Sequence, residues 1–103
     1  LIPNSIIWVL LVKSTQTDKE IQDSILFYLW QEGAWGENYT NYEKMRRRLG
    51  MVVKNNGRNT DKQLKKLVND RMVLKLKQGR TYSLNHLYRQ TIEQRLIDAD
   101  FTI

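Results

Sequence analysis

Three expected helix starts in this chain place a threonine three residues ahead of a Glu or Gln: Thr17-Asp18-Lys19-Glu20, Thr40-Asn41-Tyr42-Glu43 and Thr60-Asp61-Lys62-Gln63. This is the capping-box spacing, in which the hydroxyl and the carboxylate or amide satisfy backbone donors at a helix start reciprocally. Each opens a segment with apolar residues at helical intervals, so the chain reads as mainly helical. The first predicts a helix over 18–31 that stops near Gly33. Its Ile21, Ile25, Tyr28 and Leu29 lie on one side, within about 100° of one another. Leu26, Phe27 and Trp30 lie on the other, so this helix needs cover on two sides. The second helix is expected over 41–49, with Gly50 at its C-terminal cap. Residues 54–59 read as a polar loop turning at Asn56-Gly57. The third helix, over 61–71, carries the stripe Leu64, Leu67, Val68 and Met72.

A hairpin follows. Val73-Leu74-Lys75-Leu76-Lys77 and Thr81-Tyr82-Ser83-Leu84 alternate about a turn at Gln78-Gly79. Placing Leu74, Leu76, Tyr82 and Leu84 on one face requires Leu76 opposite Tyr82 and Leu74 opposite Leu84, hence a bulged or three-residue turn around Gly79. Lys75, Lys77 and Arg80 then point outward or sit at the tip. A last helix over 86–98, capped by Asn85, carries Tyr88, Ile92, Leu96 and Ala99 as a single stripe. Residues 6–12 are apolar on every face, and periodicity does not separate helix from strand there. Pro3-Asn4-Ser5 suits a helix cap, while the β-branched content suits a strand; a helix is the reading adopted. The whole is expected to be one domain, 1–103, α+β in class and mainly α with a small β-hairpin. An N-terminal apolar segment spans 1–16, a core 17–84 and a C-terminal helix 85–103.

Charge is unevenly placed along this frame. Net charge is +6 on 103 residues, from 17 Lys and Arg against 11 Asp and Glu. Thirteen of those bases and three of those acids fall between Glu43 and Arg80, so the middle of the chain carries +10 and the rest −4. Scattered basic charge aids solubility; a segregated block in a small domain marks a polyanion footprint.

The catalytic inventory is thin. There is no cysteine, which excludes disulfide frameworks, zinc ribbons and thiol catalysis. His86 is the single histidine and is read as a partly exposed surface residue. The five glycines make neither a phosphate loop nor a dinucleotide fingerprint. No enzyme activity, metal or small-molecule cofactor is expected. The longest apolar run, 6–12, is far short of the roughly 20 residues a membrane span needs. No basic residue precedes it and no small-residue cleavage site follows it before Lys13, so neither a membrane partner nor a secretory leader is expected. Trp30, Trp35, Tyr39 and Tyr42 cluster away from the basic centre and are read as packing residues in preference to base-stacking ones.

Helix, link, helix, turn, helix and hairpin, over about 18–84, resembles the winged helix-turn-helix group, which includes MarR-like and PadR-like repressors and small archaeal chromatin proteins. The most specific stretch runs from Thr60 through Val73, followed by Gln78-Gly79-Arg80-Thr81-Tyr82-Ser83-Leu84. It looks like a recognition helix entering a wing and closing on an aromatic strand. Asn38-Tyr39-Thr40 matches the short third strand of the wing sheet. The span from Gly50 to Asn59 is longer than the usual turn.

With Leu64, Leu67 and Val68 facing the core, Asn59, Lys62, Lys66 and Asn69 fall opposite and Lys65 at the flank. Lysine reaches guanine acceptors or phosphates, and asparagine pairs bidentately with adenine. The resemblance then implies wing contacts from Lys75, Lys77 and Arg80. Arg46, Arg47, Lys54 and Arg58 become phosphate anchors. Arg46, Arg47 and Arg48 point in three directions around a helix, so they cannot all touch one duplex. Ile7, Trp8, Leu11, Trp30, Tyr88, Ile92 and Leu96 remain as apolar surface for a homodimer.

The expected function is double-stranded DNA binding by a homodimer, as a transcriptional regulator or a chromatin protein, cytoplasmic and nucleoid-associated. The alternative is a winged-helix module for contact with protein or RNA.

Overall fold

Residues 17–50 and 56–103 are described by the computed structural model, in which helices and one small sheet alternate along the chain. The order is α1 (Asp18–Gln31), β1 (Thr40–Asn41), α2 (Tyr42–Gly50), α3 (Asn56–Asn69), β2 (Val73–Leu76), β3 (Thr81–Leu84) and α4 (Arg89–Asp98). Short 3-10 turns occupy Lys77–Gly79 and His86–Tyr88. The described residues thus form an α+β fold of four helices and a three-stranded antiparallel sheet ordered β1-β3-β2.

One of the three threonine boxes forms. Thr17 Oγ1 accepts from the Glu20 N–H at 3.1 Å, and Glu20 Oε1 accepts from the Thr17 N–H at 2.8 Å. At the second, Thr40 is drawn into β1 opposite Tyr82, and the cap of α2 passes to Asn41, whose Oδ1 accepts from the Lys44 N–H at 3.1 Å. At the third, α3 begins at Asn56, so Thr60 lies buried inside the helix and is not its N-cap. Residues 56–59, expected as loop, are helical. Asn59 Oδ1 accepts from Gln63 Nε2 at 3.1 Å one turn further on, a contact the longer helix makes possible. Residues 51–55, between the described parts of α2 and α3, lie outside the described residues.

The hairpin register also differs from expectation. Val73 pairs with Leu84, Lys75 with Tyr82 and Leu76 with Thr81, across a four-residue loop from Lys77 to Arg80. Lys77 (φ 50), Gln78 (φ 58) and Gly79 (φ 87) are all left-handed, and this run closes the loop with the even count. Val73, Tyr82 and Leu84 therefore take the core face, while Leu74 and Leu76 are half-buried on the other face with Thr81 and Ser83. Because side chains alternate along a strand, the one-residue difference moves both leucines together.

The core gathers Ile21, Ile25 and Leu29 of α1, Met45 and Leu49 of α2, Leu64 and Leu67 of α3, Val73 and Leu84 of the sheet, and Ile92 and Leu96 of α4. α1 is the central rod, packed against α2, α3, α4 and β3. Its second apolar side needs no partner chain: Leu26 is fully buried, and Phe27 stacks on Phe101 at 4.4 Å between ring centroids. Trp30 is half-buried and donates its indole N–H to Glu93 Oε2 on α4 at 2.9 Å.

The stripe expected to meet a second subunit is likewise turned inward. Ile92 and Leu96 are wholly buried and Tyr88 packs against the same core. The reason is geometric: a helix returning beside α1 buries its apolar stripe at no translational cost, unlike a partner that must be captured from solution. Ile7, Trp8 and Leu11 lie outside the described residues. Among those residues, no helix is long and apolar enough to cross a membrane.

Candidate nucleic-acid interface

α3 is the element on which the basic residues converge. Leu64 and Leu67 anchor it to the core, with Val68 partly buried beside them. This turns Lys62, Lys65, Lys66 and Asn69 to the surface, all four exposed. Asn59 does not join them. It is half-buried and bound to Gln63, which is 1% exposed and accepts at Oε1 from Gln22 Nε2 of α1 at 2.8 Å. Buried amides are held in hydrogen-bonded chains because an unpaired one costs about 1–3 kcal/mol, and that cost keeps Asn59 turned inward.

Across from α3 stands the hairpin. A cleft of about 320 Å³ separates them, lined on the helix side by Asp61, Lys65 and Asn69 and on the hairpin side by Lys75, Gly79 and Tyr82. Lys75 shares the core face of the sheet with its pair partner Tyr82 and lines the cleft with Lys65 and Asn69 of α3. Tyr42, at the start of α2, closes one end. Its hydroxyl donates to Asp61 Oδ1 at 2.5 Å. Burial first, then that hydrogen bond and the Asp61 charge, push the Tyr42 phenol up to about 12, with the Arg46 charge opposing. Tyr82 is shifted in the same direction, by burial first and by Asp61 second.

The remaining expected residues divide. Arg46 and Arg47 are exposed on α2, as is Arg48. Arg80 is exposed at the end of the loop, and its carbonyl accepts from the Tyr42 N–H at 2.8 Å, tying the hairpin to α2. Lys77 does not stand free at the tip: its ammonium lies 4.4 Å from the centroid of the Tyr39 ring and donates to the Tyr39 hydroxyl. Tyr39 itself is 43% exposed, contrary to its reading as a packing residue. Trp35, by contrast, is buried, with His86 stacked on it at 5.5 Å. Arg58 falls on α3 and not in a loop, and its side chain, like Lys54, lies outside the description.

Sequence reasoning missed two features here. Asp61 was absorbed into a capping box that does not form, although it is the one acid within the 14 residues of α3. The Gln22–Gln63 pair left a signal in two glutamines sharing the apolar sides of their helices. Among the described residues, no group of three or more His, Asp or Glu is placed to hold a metal ion. No protein-family model matches the chain, and neither a curated protein nor a solved structure matches it.

Proposed function

We propose that the chain is a winged helix-turn-helix domain that binds double-stranded DNA, with α3 as the recognition helix and the β2–β3 hairpin as the wing. The observation that carries this reading is the exposed side of α3. Lys62, Lys65, Lys66 and Asn69 stand clear of the core together, and Lys75 shares the cleft with Lys65 and Asn69. Solvated helix faces ordinarily mix both signs of charge; this one offers a duplex ammonium groups for phosphates and guanine acceptors and an amide for adenine. The pairing of β1 with β3 as a third sheet strand also supports the reading. Arg46 and Arg47 supply flanking phosphate contacts.

A homodimer remains part of the proposal on altered grounds. Ile92 and Leu96 are spent on the chain's own core, so among the described residues the partner surface rests on Leu87 and Ile97, which are 89% and 52% exposed. Light scattering at micromolar concentration tests this directly, and a stable monomer overturns it.

The deciding experiment for DNA binding is affinity for random-sequence duplex across a salt series. A dimer making six phosphate contacts gives a log–log slope of magnitude about 5. Failure to bind duplex at low salt overturns the reading and leaves contact with a protein or RNA.

A further inference from the structure

A surface built to meet phosphates gains nothing from a carboxylate, yet α3 carries one on the side facing the hairpin. Asp61 is half-buried in the cleft, with Lys65 one turn along the helix and Lys75 and Tyr82 opposite. Its position is held from behind: Tyr42 donates to Oδ1 at 2.5 Å. A carboxylate pair of oxygens offers about four acceptor positions, and Tyr42 uses one. Among the described residues the ion pairs involve Asp23, Glu32 and Glu93 and not Asp61, so the lysines around it do not consume the other oxygen.

A carboxylate acceptor hydrogen-bonded by Tyr42, in the N-terminal half of a helix proposed to enter a major groove, has a specific chemical use. Of the four bases, cytosine alone shows the groove an amino donor with no acceptor on the same ring edge. Guanine and thymine present acceptors that repel a carboxylate, and adenine sets N7 beside its amino group. We infer that Asp61 is a specificity-determining residue that selects a C·G pair through the cytosine N4 amino group, and that Tyr42 is the residue that positions it. The inference rests on the proposed DNA-binding reading and sharpens it: a carboxylate lowers affinity for every duplex and is offset only where the matching base is present, which favours a sequence-selective protein over a general DNA coat.

The test is selection from random-sequence duplexes by the wild-type chain, Asp61→Asn, Asp61→Ala and Tyr42→Phe, each first shown folded by circular dichroism. The wild type enriches cytosine at one position by at least about fivefold. Asp61→Asn moves that position to adenine, the base an amide pairs with. Asp61→Ala loses the preference and binds random duplex more tightly than wild type. Tyr42→Phe keeps its affinity for random duplex while its cytosine preference weakens, a split that a merely structural role for Tyr42 does not produce. Identical base preferences in all four pools overturn the assignment of Asp61 and leave DNA binding standing. Absence of duplex binding by the wild type overturns both.

Discussion

Arg95 of α4 donates its Nε–H to Oδ1 of Asp23 on α1 at 2.5 Å, joining two helices 72 residues apart in sequence. The same guanidinium donates from Nη2 to Gln22 Oε1 at 2.9 Å, and Gln22 in turn donates to Gln63 of α3. Lys19 reaches the other Asp23 oxygen at 2.7 Å. One polar chain thus runs from the last helix, through the central rod, to the helix bearing the proposed reading face.

Removing the arginine leaves a carboxylate whose side chain is 4% exposed with only the outer lysine as partner. Arg95→Leu should therefore cost about 2–3 kcal/mol, since breaking a buried pair strands a charge. Urea denaturation measures the loss. A change within error of zero would mean that Lys19 and water already satisfy Asp23.

The loop from Lys77 to Arg80 holds a correctable strain. Gln78 is exposed at φ 58, a left-handed conformation that disfavours every residue with a Cβ. Gln78→Gly relieves the clash and adds unfolded-state entropy, for a net gain of about 0.5–1 kcal/mol. The thermal midpoint should rise by a few degrees, and a fall would place the loop in another conformation.

Alkaline behaviour follows from Tyr42. Its phenol in the folded chain ionises at about 12 against an ordinary value of 10.0. A raised folded value means that the contribution is whole below pH 10 and is lost as pH climbs through about 12. Phenolate absorbance of the folded protein should show a late-ionising tyrosine that Tyr42→Phe removes. Between those limits the stability of the Phe variant should fall less steeply with pH than that of wild type.

Lys62 and Lys66 are exposed, and among the described residues the ion pairs involve neither. Replacing both with alanine should leave the circular dichroism spectrum and urea midpoint unchanged. Duplex affinity should drop, and if both reach phosphates the magnitude of the salt slope should fall by about 2 per protomer, about 4 for the proposed dimer. Unchanged affinity would mean that the reading face lies elsewhere.

Much of the proposed interface was legible in sequence because exposure on a helix follows from the spacing of its buried residues. Leu64, Leu67 and Val68 were enough to place Lys62, Lys65, Lys66 and Asn69. Asn59 escaped that geometry because its partner chain begins at Gln22, 41 residues from Gln63. Asp61 escaped because its meaning depends on Tyr42, which belongs to another helix. The hairpin register escaped because Lys77 and Gln78 carry no signal for left-handed backbone.

Local features follow from the order of residues alone: the Thr17 box, the helical stripes, the presence of a hairpin and the concentration of positive charge between Glu43 and Arg80. Each depends on residues within about a helical turn or a strand pair of one another. Tertiary structure alone decided the choice between competing local offers. β3 claimed Thr40 and passed the α2 cap to Asn41, and α1 claimed Ile92 and Leu96 that sequence had assigned to a partner. Backbone pairing and apolar burial at long range outweigh a single cap worth about 1 kcal/mol. That difference in magnitude is why the helices were readable and their contacts were not.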